Sequence, residues 1–336
     1  MKLLFVVNAQ ARGAHPGAIR AIREWFESRA GGAGAAGAAL SARPEFREAA
    51  TWRAARDLTR AELAAGRADR VIPLGGDGTV NAVVNGFFDE QGRAIRPEAS
   101  LAVSCLGTGA DYARSVFEAA PGADWRETAL RGAARAVDLG RIHWASEAHQ
   151  PLLFANALTA GITAEIVRRK GALPRGLGAR LPGMPQAPYG AVAALLPKSL
   201  SYLGPTVLEL LRNRSYRARL EVSGAPAIER DLVALFIAKG ARLGSGMRVS
   251  RRAELASGSL SVIAISRMPV PRLLWKLRDL YRQGLEAQPQ VERFEAAAVS
   301  VGGTNGIPFE CDGEVQGTAR FRVETVSGAL QVAFPG

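Results

Sequence analysis

Apolar positions along the first 140 residues alternate between two periods. Residues 2–7, 70–74 and 101–105 are short apolar runs bounded by turn residues, the pattern of buried strands. Between them, residues 16–30 carry Ile19, Ile22 and Phe26 at three- and four-residue spacing with Pro16 near the start, which predicts an amphipathic helix. Residues 52–65 predict a second helix, ended by Gly66, and residues 80–88 a third. The Ala- and Gly-rich stretch 30–40 reads as a connector. Strand–helix alternation of this kind predicts an open, largely parallel α/β sheet.

Beyond about residue 137 strands dominate. Runs at 136–142, 152–158, 216–222, 232–238, 260–265, 297–301, 319–323 and 330–334 are mostly bounded by Gly, Pro, Ser or Asn. They predict an antiparallel β-sandwich or barrel. Two helical segments interrupt it: 191–212, apolar and broken by Pro197 and Pro205, and 270–281, amphipathic with Leu273, Leu277 and Leu280 on one face. Residues 170–189 hold too many Pro and Gly for a regular element, and a lid or a surface insertion fits equally. The expected fold is therefore α/β plus mainly β, with an N-terminal α/β domain at 1–136 and a sandwich domain with inserted helices at 137–336.

Composition narrows the function. With 336 residues, 48% hydrophobic and 22% charged, the chain is of globular type and long enough for two cores. Cys105 and Cys311 make no disulfide framework, and the apolar run at 3–7 is too short for an export signal. No run reaches a membrane span, so a soluble, cytoplasmic protein is expected. The net charge is +12, and residues 165–295 alone hold 22 Lys or Arg against 10 Asp or Glu. A basic second half suits nucleic acid, a phosphate-bearing ligand or an anionic membrane. Sparse aromatics, not interleaved with the basic residues, argue against nucleic acid. His15, His143 and His149 lack zinc-ligand spacing, and neither a P-loop nor a serine-hydrolase elbow is present.

The strongest chemical signal is the strand 70–74 running into Gly75-Gly76-Asp77-Gly78-Thr79 and then a helix that contains Asn81. Glycines let backbone N–H groups approach a phosphate, and the helix N-terminus adds partial positive charge. Asp77 would repel a bare phosphate, so it must organise the site through a cation, water or hydrogen bonds. Near the C-terminus, Asp312-Gly313-Glu314 places two carboxylates around a glycine, a pattern suited to accepting a proton.

These segments resemble the diacylglycerol kinase catalytic-domain family of bacterial lipid kinases, which is related to sphingosine kinases and more distantly to NAD kinases. The resemblance runs over nearly the whole chain. It implies ATP and Mg²⁺ as cofactors, with Asn8, Arg12, Thr51, Gly75, Gly76, Asp77, Gly78, Thr79, Asn81 and Thr108 contacting the nucleotide. It makes Glu314 the proton acceptor and Asp312 its closest support. Asp111, in Gly107-Thr108-Gly109-Ala110-Asp111, joins Asp77 in an acidic network, with Ala110 standing where the family has Asn. A structural Mg²⁺ site would fall at Glu254, Ser257 and Ser259. Ser257 replaces the metal-binding Asp there, and a hydroxyl is a weaker Mg²⁺ ligand than a carboxylate.

The implied reaction is transfer of the γ-phosphoryl group to a hydroxyl of a lipid alcohol (diacylglycerol-like, phosphatidylglycerol-like or sphingoid). The implied partners are that lipid and an anionic membrane surface at the inner face, with a homodimer left open and no nucleic acid. A nucleotide-binding sensor without turnover is the alternative. A NAD kinase fits less well, because Asn81 is followed by Ala82 rather than by the acid of the NAD-kinase motif.

Overall fold

The computed structural model describes residues 1–11, 13–30, 43–107, 109–144, 151–172, 203–212, 214–243, 247–248, 254–273, 289–303 and 305–336. Arg12 and Thr108, most of the 170–189 loop, residues 191–202 and the greater part of the 270–281 helix lie outside them.

The N-terminal half alternates β1 (Leu3–Val7), α1 (Pro16–Ala30), β2 (Glu45–Glu48), α2 (Trp52–Ala64), β3 (Arg70–Leu74), α3 (Asp77–Gly86) and β4 (Ser100–Leu101). Two short helices follow, α4 (Asp111–Val116) and α5 (Trp125–Arg131). β1 lies between β2 and β3, and β3 pairs with β4, all parallel. Every residue of β1 and β3 is buried, which is why β1 and β3 after Arg70 read as unbroken apolar runs. Pro73 is tolerated in a central strand because its missing N–H faces β4, which pairs only with Arg70 and Val71 and has ended by that point. Helix α1 seals one face of the sheet with Ile22 and Phe26, the latter edge-on to Phe5 at 4.8 Å.

The second half opens with β5 (Ala133–Trp144), β6 (Leu152–Phe154), β7 (Ala157–Gly161) and α6 (Ile162–Ala172), then α7 (Leu203–Arg212). It continues through β8 (Tyr216–Val222), β9 (Ile228–Ala238), β10 (Arg242–Leu243), β11 (Met247–Arg248) and β12 (Leu260–Ser266). It closes with β13 (Val291–Ala296), β14 (Ala298–Gly302), β15 (Ile307–Cys311), β16 (Glu314–Ala319) and β17 (Phe321–Phe334). Pairing from β7 through β9 and β8 to β14, and from β15 to β16, is antiparallel throughout. The fold is thus an N-terminal parallel α/β sheet with a C-terminal antiparallel sandwich.

The long strand β17 joins the halves. Its start pairs with β14 and its end runs parallel to β4, while β5 lies antiparallel along it from Phe321↔Trp144 to Phe334↔Ala133. The chain therefore returns to the N-terminal sheet, and position 136/137 falls inside β5. Two expected strands are each divided. The run 152–158 breaks at Ala155–Asn156, where backbone N–H groups turn towards Asp312, and 319–323 is split between β16 and β17. Among the described residues no helix is long and apolar enough to cross a membrane.

Candidate active site

Three loops meet at the C-terminal ends of the parallel strands, where ligands bind in open α/β sheets. After β1, Asn8 donates its backbone N–H to Leu74 O (3.0 Å) and its amide to Thr79 Oγ1 (3.2 Å), tying the first loop to the glycine loop. Gly76 caps α3 in an extended conformation with no side chain over the helix end. The first turn of α3 thus borders an open cavity of about 440 Å³. Asn8, Thr51, Gly76, Gly78, Thr79 and Glu314 are among the residues that line it. Thr51 also caps α2, accepting from Ala54 N at 3.1 Å. Gly75 and Asp77 lie just outside the lining.

Asp77 turns away from the cavity. Its Oδ1 accepts the backbone N–H of Asp111 (3.0 Å) and of Tyr112 (3.4 Å), capping α4 from a distance. That helix needs such a cap, because Ala110 at its N-cap has no side-chain acceptor and sits at φ +48°. A Cβ on Gly109 would lie 2.9 Å from Asp77 Oδ2 and 3.1 Å from Asp111 Oδ2, so the two carboxylates flank one glycine. Burial, then the Asp111 charge, push the Asp77 carboxyl up to about 7. The pair calls for a proton or a cation. Among the described residues no three His, Cys, Asp or Glu side chains are grouped to hold a metal by themselves. A cation here would depend on oxygen ligands from a bound phosphate as well, and the pair fits Mg²⁺ brought in that way.

Opposite stands the β15–β16 hairpin. Cys311 pairs with Glu314, leaving Asp312 and Gly313 as a two-residue loop at φ +46° and +89°, the Asp-Gly form that matches strand twist. The turn separates its two carboxylates. Asp312 points inward, where its oxygens accept the N–H groups of Ala155 (3.0 Å), Asn156 (3.1 Å) and Ala157 (2.9 Å) and the Asn81 amide (3.0 Å). Burial still raises its pKa, against the pull of those donors. Glu314 points outward, and its Oε1 lies so close above Gly78 that a Cβ there would overlap it. The glycine loop and the C-terminal carboxylate, more than 230 positions apart, are in contact.

Glu314 also borders a second cavity, of about 320 Å³, on its other side. Trp52 is shared by both. Phe88, Trp144, Leu152 and Val315 supply apolar walls there, and Arg53, Arg56, Arg60 and Arg141 supply positive charge.

Two expectations are corrected. Asn81 does not reach the cavity beside the glycine loop: it is buried, accepting from Trp52 Nε1 (2.9 Å) and donating to Leu153 O and Asp312 Oδ2 (both 3.0 Å). It fastens α3 to the sandwich. The residues Glu254, Ser257 and Ser259 do not fit a divalent ion, because the ammonium of the buried Lys239 stands among them, 2.7 Å from Ser259 O and 3.3 Å from Ser257 Oγ. One residue escaped sequence reasoning. Glu310 lies buried under the turn, accepting from Thr159 Oγ1 (2.6 Å) and Gly313 N (2.7 Å), with its carboxyl pushed up to about 7 chiefly by burial. The only sequence signal was one acid in the otherwise apolar run of β15.

Comparison with known proteins agrees with this geometry. Residues 2–142 match the diacylglycerol kinase catalytic domain, and residues 190–334 match the YegS C-terminal NAD kinase beta sandwich-like domain. A "Probable lipid kinase YegS-like" protein of Pectobacterium atrosepticum is 24% identical, over 80% of this chain and 79% of its own length. One of the same name from Pseudomonas savastanoi pv. phaseolicola is 29% identical, over 85% and 82%. The crystal structure of a diacylglycerol kinase from Bacillus anthracis str. Sterne superposes with a TM-score of 0.66 at 14% identity, covering 99% of this chain and 97% of that one, a likeness of fold. With both domains present in this order around one cleft, the chain belongs to the diacylglycerol kinase catalytic-domain family of lipid kinases and is a phosphotransferase.

Proposed function

We propose that this kinase transfers the γ-phosphoryl group of ATP to a hydroxyl of a lipid alcohol, diacylglycerol-like, phosphatidylglycerol-like or sphingoid. The observation that carries this reading is the position of Glu314, in contact with Gly78 and bordering two cavities. The larger cavity suits the nucleotide: the first turn of α3 offers N–H groups and dipole to the phosphates, and Asn8 and Thr79 hold the loop in shape. Mg²⁺ arriving with the nucleotide beside Asp77 and Asp111 would neutralise phosphate charge.

Glu314 accepts the proton of the acceptor hydroxyl. The oxygen bonds to the γ-phosphorus as the bond to the β-phosphate oxygen breaks, giving a phosphomonoester and ADP. The Asp312 clamp keeps the turn, and hence Glu314, at a fixed height above α3. The second cavity, with apolar walls and arginines in its lining, suits the acceptor head. A basic second half and the exposed Leu208 and Leu211 on α7 favour transient contact with an anionic membrane from the cytoplasmic side.

The test is incubation with γ-labelled ATP, Mg²⁺ and vesicles of defined lipid alcohols, with products resolved by mass spectrometry. Label on a lipid is expected, with Glu314→Gln abolishing turnover while nucleotide binding survives. Label on NAD and none on lipid would refute the proposal, and nucleotide binding without turnover on any lipid would make the protein a sensor.

A further inference from the structure

The resemblance implies a structural divalent ion near Ser257, and the residues present do not fit one. Lys239 directly follows β9 and is fully buried, an unusual place for a lysine. Its ammonium has three N–H donors and three acceptors: Asp138 Oδ2 (2.8 Å), Ser259 O (2.7 Å) and Ser257 Oγ (3.3 Å). Ser257 Oγ in turn lies 3.3 Å from Glu254 O and 3.2 Å from Ser259 O. The loop 254–259 is therefore wrapped around a positive centre. A divalent ion would need about six oxygens or more, commonly with several carboxylates. This site offers one carboxylate, and Asp138 is already engaged by Gly258 N (2.7 Å) and Gly328 N (2.9 Å). Burial raises the Asp138 pKa, but Lys239 and the two backbone donors outweigh it and hold the group ionised.

We infer that Lys239 is a built-in cation that takes the place of the structural metal, so that this chain holds its 254–259 loop without a divalent ion. The position matters to the active site. Lys239 N and Gly240 N both donate to Asn156 O, at 2.8 and 2.9 Å, and Asn156 N donates to Asp312 in the catalytic turn. Gly328, on β17, is tied to the same Asp138. The Lys239 ammonium thus ties the end of β9 to Asp138 on β5 and to the 254–259 loop, and Asp138 carries the link on to β17. Ser257 stands where the resemblance implies an acid, and the Lys239 ammonium beside it supplies the positive charge.

The test needs no substrate. Thermal melting of the Asp77→Asn variant, which keeps the α4 cap but disarms the catalytic acid pair, is followed with EDTA and with millimolar Mg²⁺ or Ca²⁺, and metal content is measured after desalting. A melting temperature indifferent to both ions, with no divalent ion retained, is expected. A rise of a few degrees with about one ion bound per chain would overturn the inference. In the same background, Lys239→Asn with Ser257→Asp should convert the site, lowering the melting temperature in EDTA and restoring it with Mg²⁺. A folded double variant whose melting ignores metal would equally overturn it. Should that variant not fold, the measurement on the Lys239-containing protein still decides.

Discussion

Replacing Gly78 by Ala should separate catalysis from stability. Gly78 lies in the first turn of α3 with no positive φ, so alanine is compatible with its backbone. Gly→Ala at a compatible site stabilises by about 0.4–1 kcal/mol, mainly by narrowing the unfolded ensemble. The new methyl overlaps Glu314 Oε1 and comes within 3.3 Å of Cδ. Glu314 is exposed and its side chain can swing aside, so relief costs the fold little. Ordinary contact requires the carboxylate to retreat by roughly 1 Å, and a misplacement of that size at a reacting group costs about 10²-fold in rate, roughly 2.7 kcal/mol of barrier. The expected variant therefore melts no lower than the parent but phosphorylates lipid about 10²-fold more slowly, with its ATP KM little changed. Gly76→Ala is the matched control. A Cβ there meets nothing within 4 Å and Gly76 lines the nucleotide cavity, so the ATP KM should rise instead. Differential scanning fluorimetry and steady-state kinetics with both substrates varied give all the quantities. Unchanged kcat in Gly78→Ala would show that Glu314 does not act from the place the structure gives it.

Two further outcomes follow from buried groups. Asn81→Ala removes a partner from Trp52 Nε1, Leu153 O and Asp312 Oδ2 at once, so unfolding free energy should fall by at least ~2 kcal/mol in denaturant titration while the ATP KM stays level. A raised KM with full stability would return Asn81 to the nucleotide site. Glu310 has a folded pKa near 7 against an ordinary value of 4.5, so it favours folding below about pH 4.5 and loses that contribution as pH climbs to 7. Glu310→Gln, able to donate to Thr159 Oγ1 and accept from Gly313 N, should flatten the decline in melting temperature across that window. An unaltered slope would mean that Glu310 does not titrate there.

What could be read from the residues was local. β1, α1 and β3 appear at or within one residue of their expected limits, because a buried parallel strand and an amphipathic helix each write their period into a few consecutive positions. The glycine loop was legible for the same reason. Asn81 was misread because the loop's motif extends to it, although the cavity is open only along the first turn of α3. One turn further on, Leu153 and Asp312 close over the helix. Nothing local marks Lys239, which follows the apolar run 232–238, since its partners Asp138 and Ser257 lie 101 and 18 positions away.

The meeting of Glu314 with Gly78 depends on contacts that no periodicity encodes. β15 must pair with β7 so that Asp312 falls beside the break after Phe154, and the Ala155, Asn156 and Ala157 N–H groups must turn to meet it. The broken strand and the carboxylate are therefore one device. The N–H groups withheld from a continuous strand 152–158 are those that desolvate and bind Asp312, and Asn81 contributes a fourth donor from α3. An uninterrupted strand would leave Asp312 buried with unmet acceptors, a cost of several kcal/mol. With the break, the same acid anchors the turn to the glycine helix, and the next carboxylate in the sequence, Glu314, is held out over the first turn of α3. The interruption that breaks the expected strand is thus what places Glu314, the proposed general base.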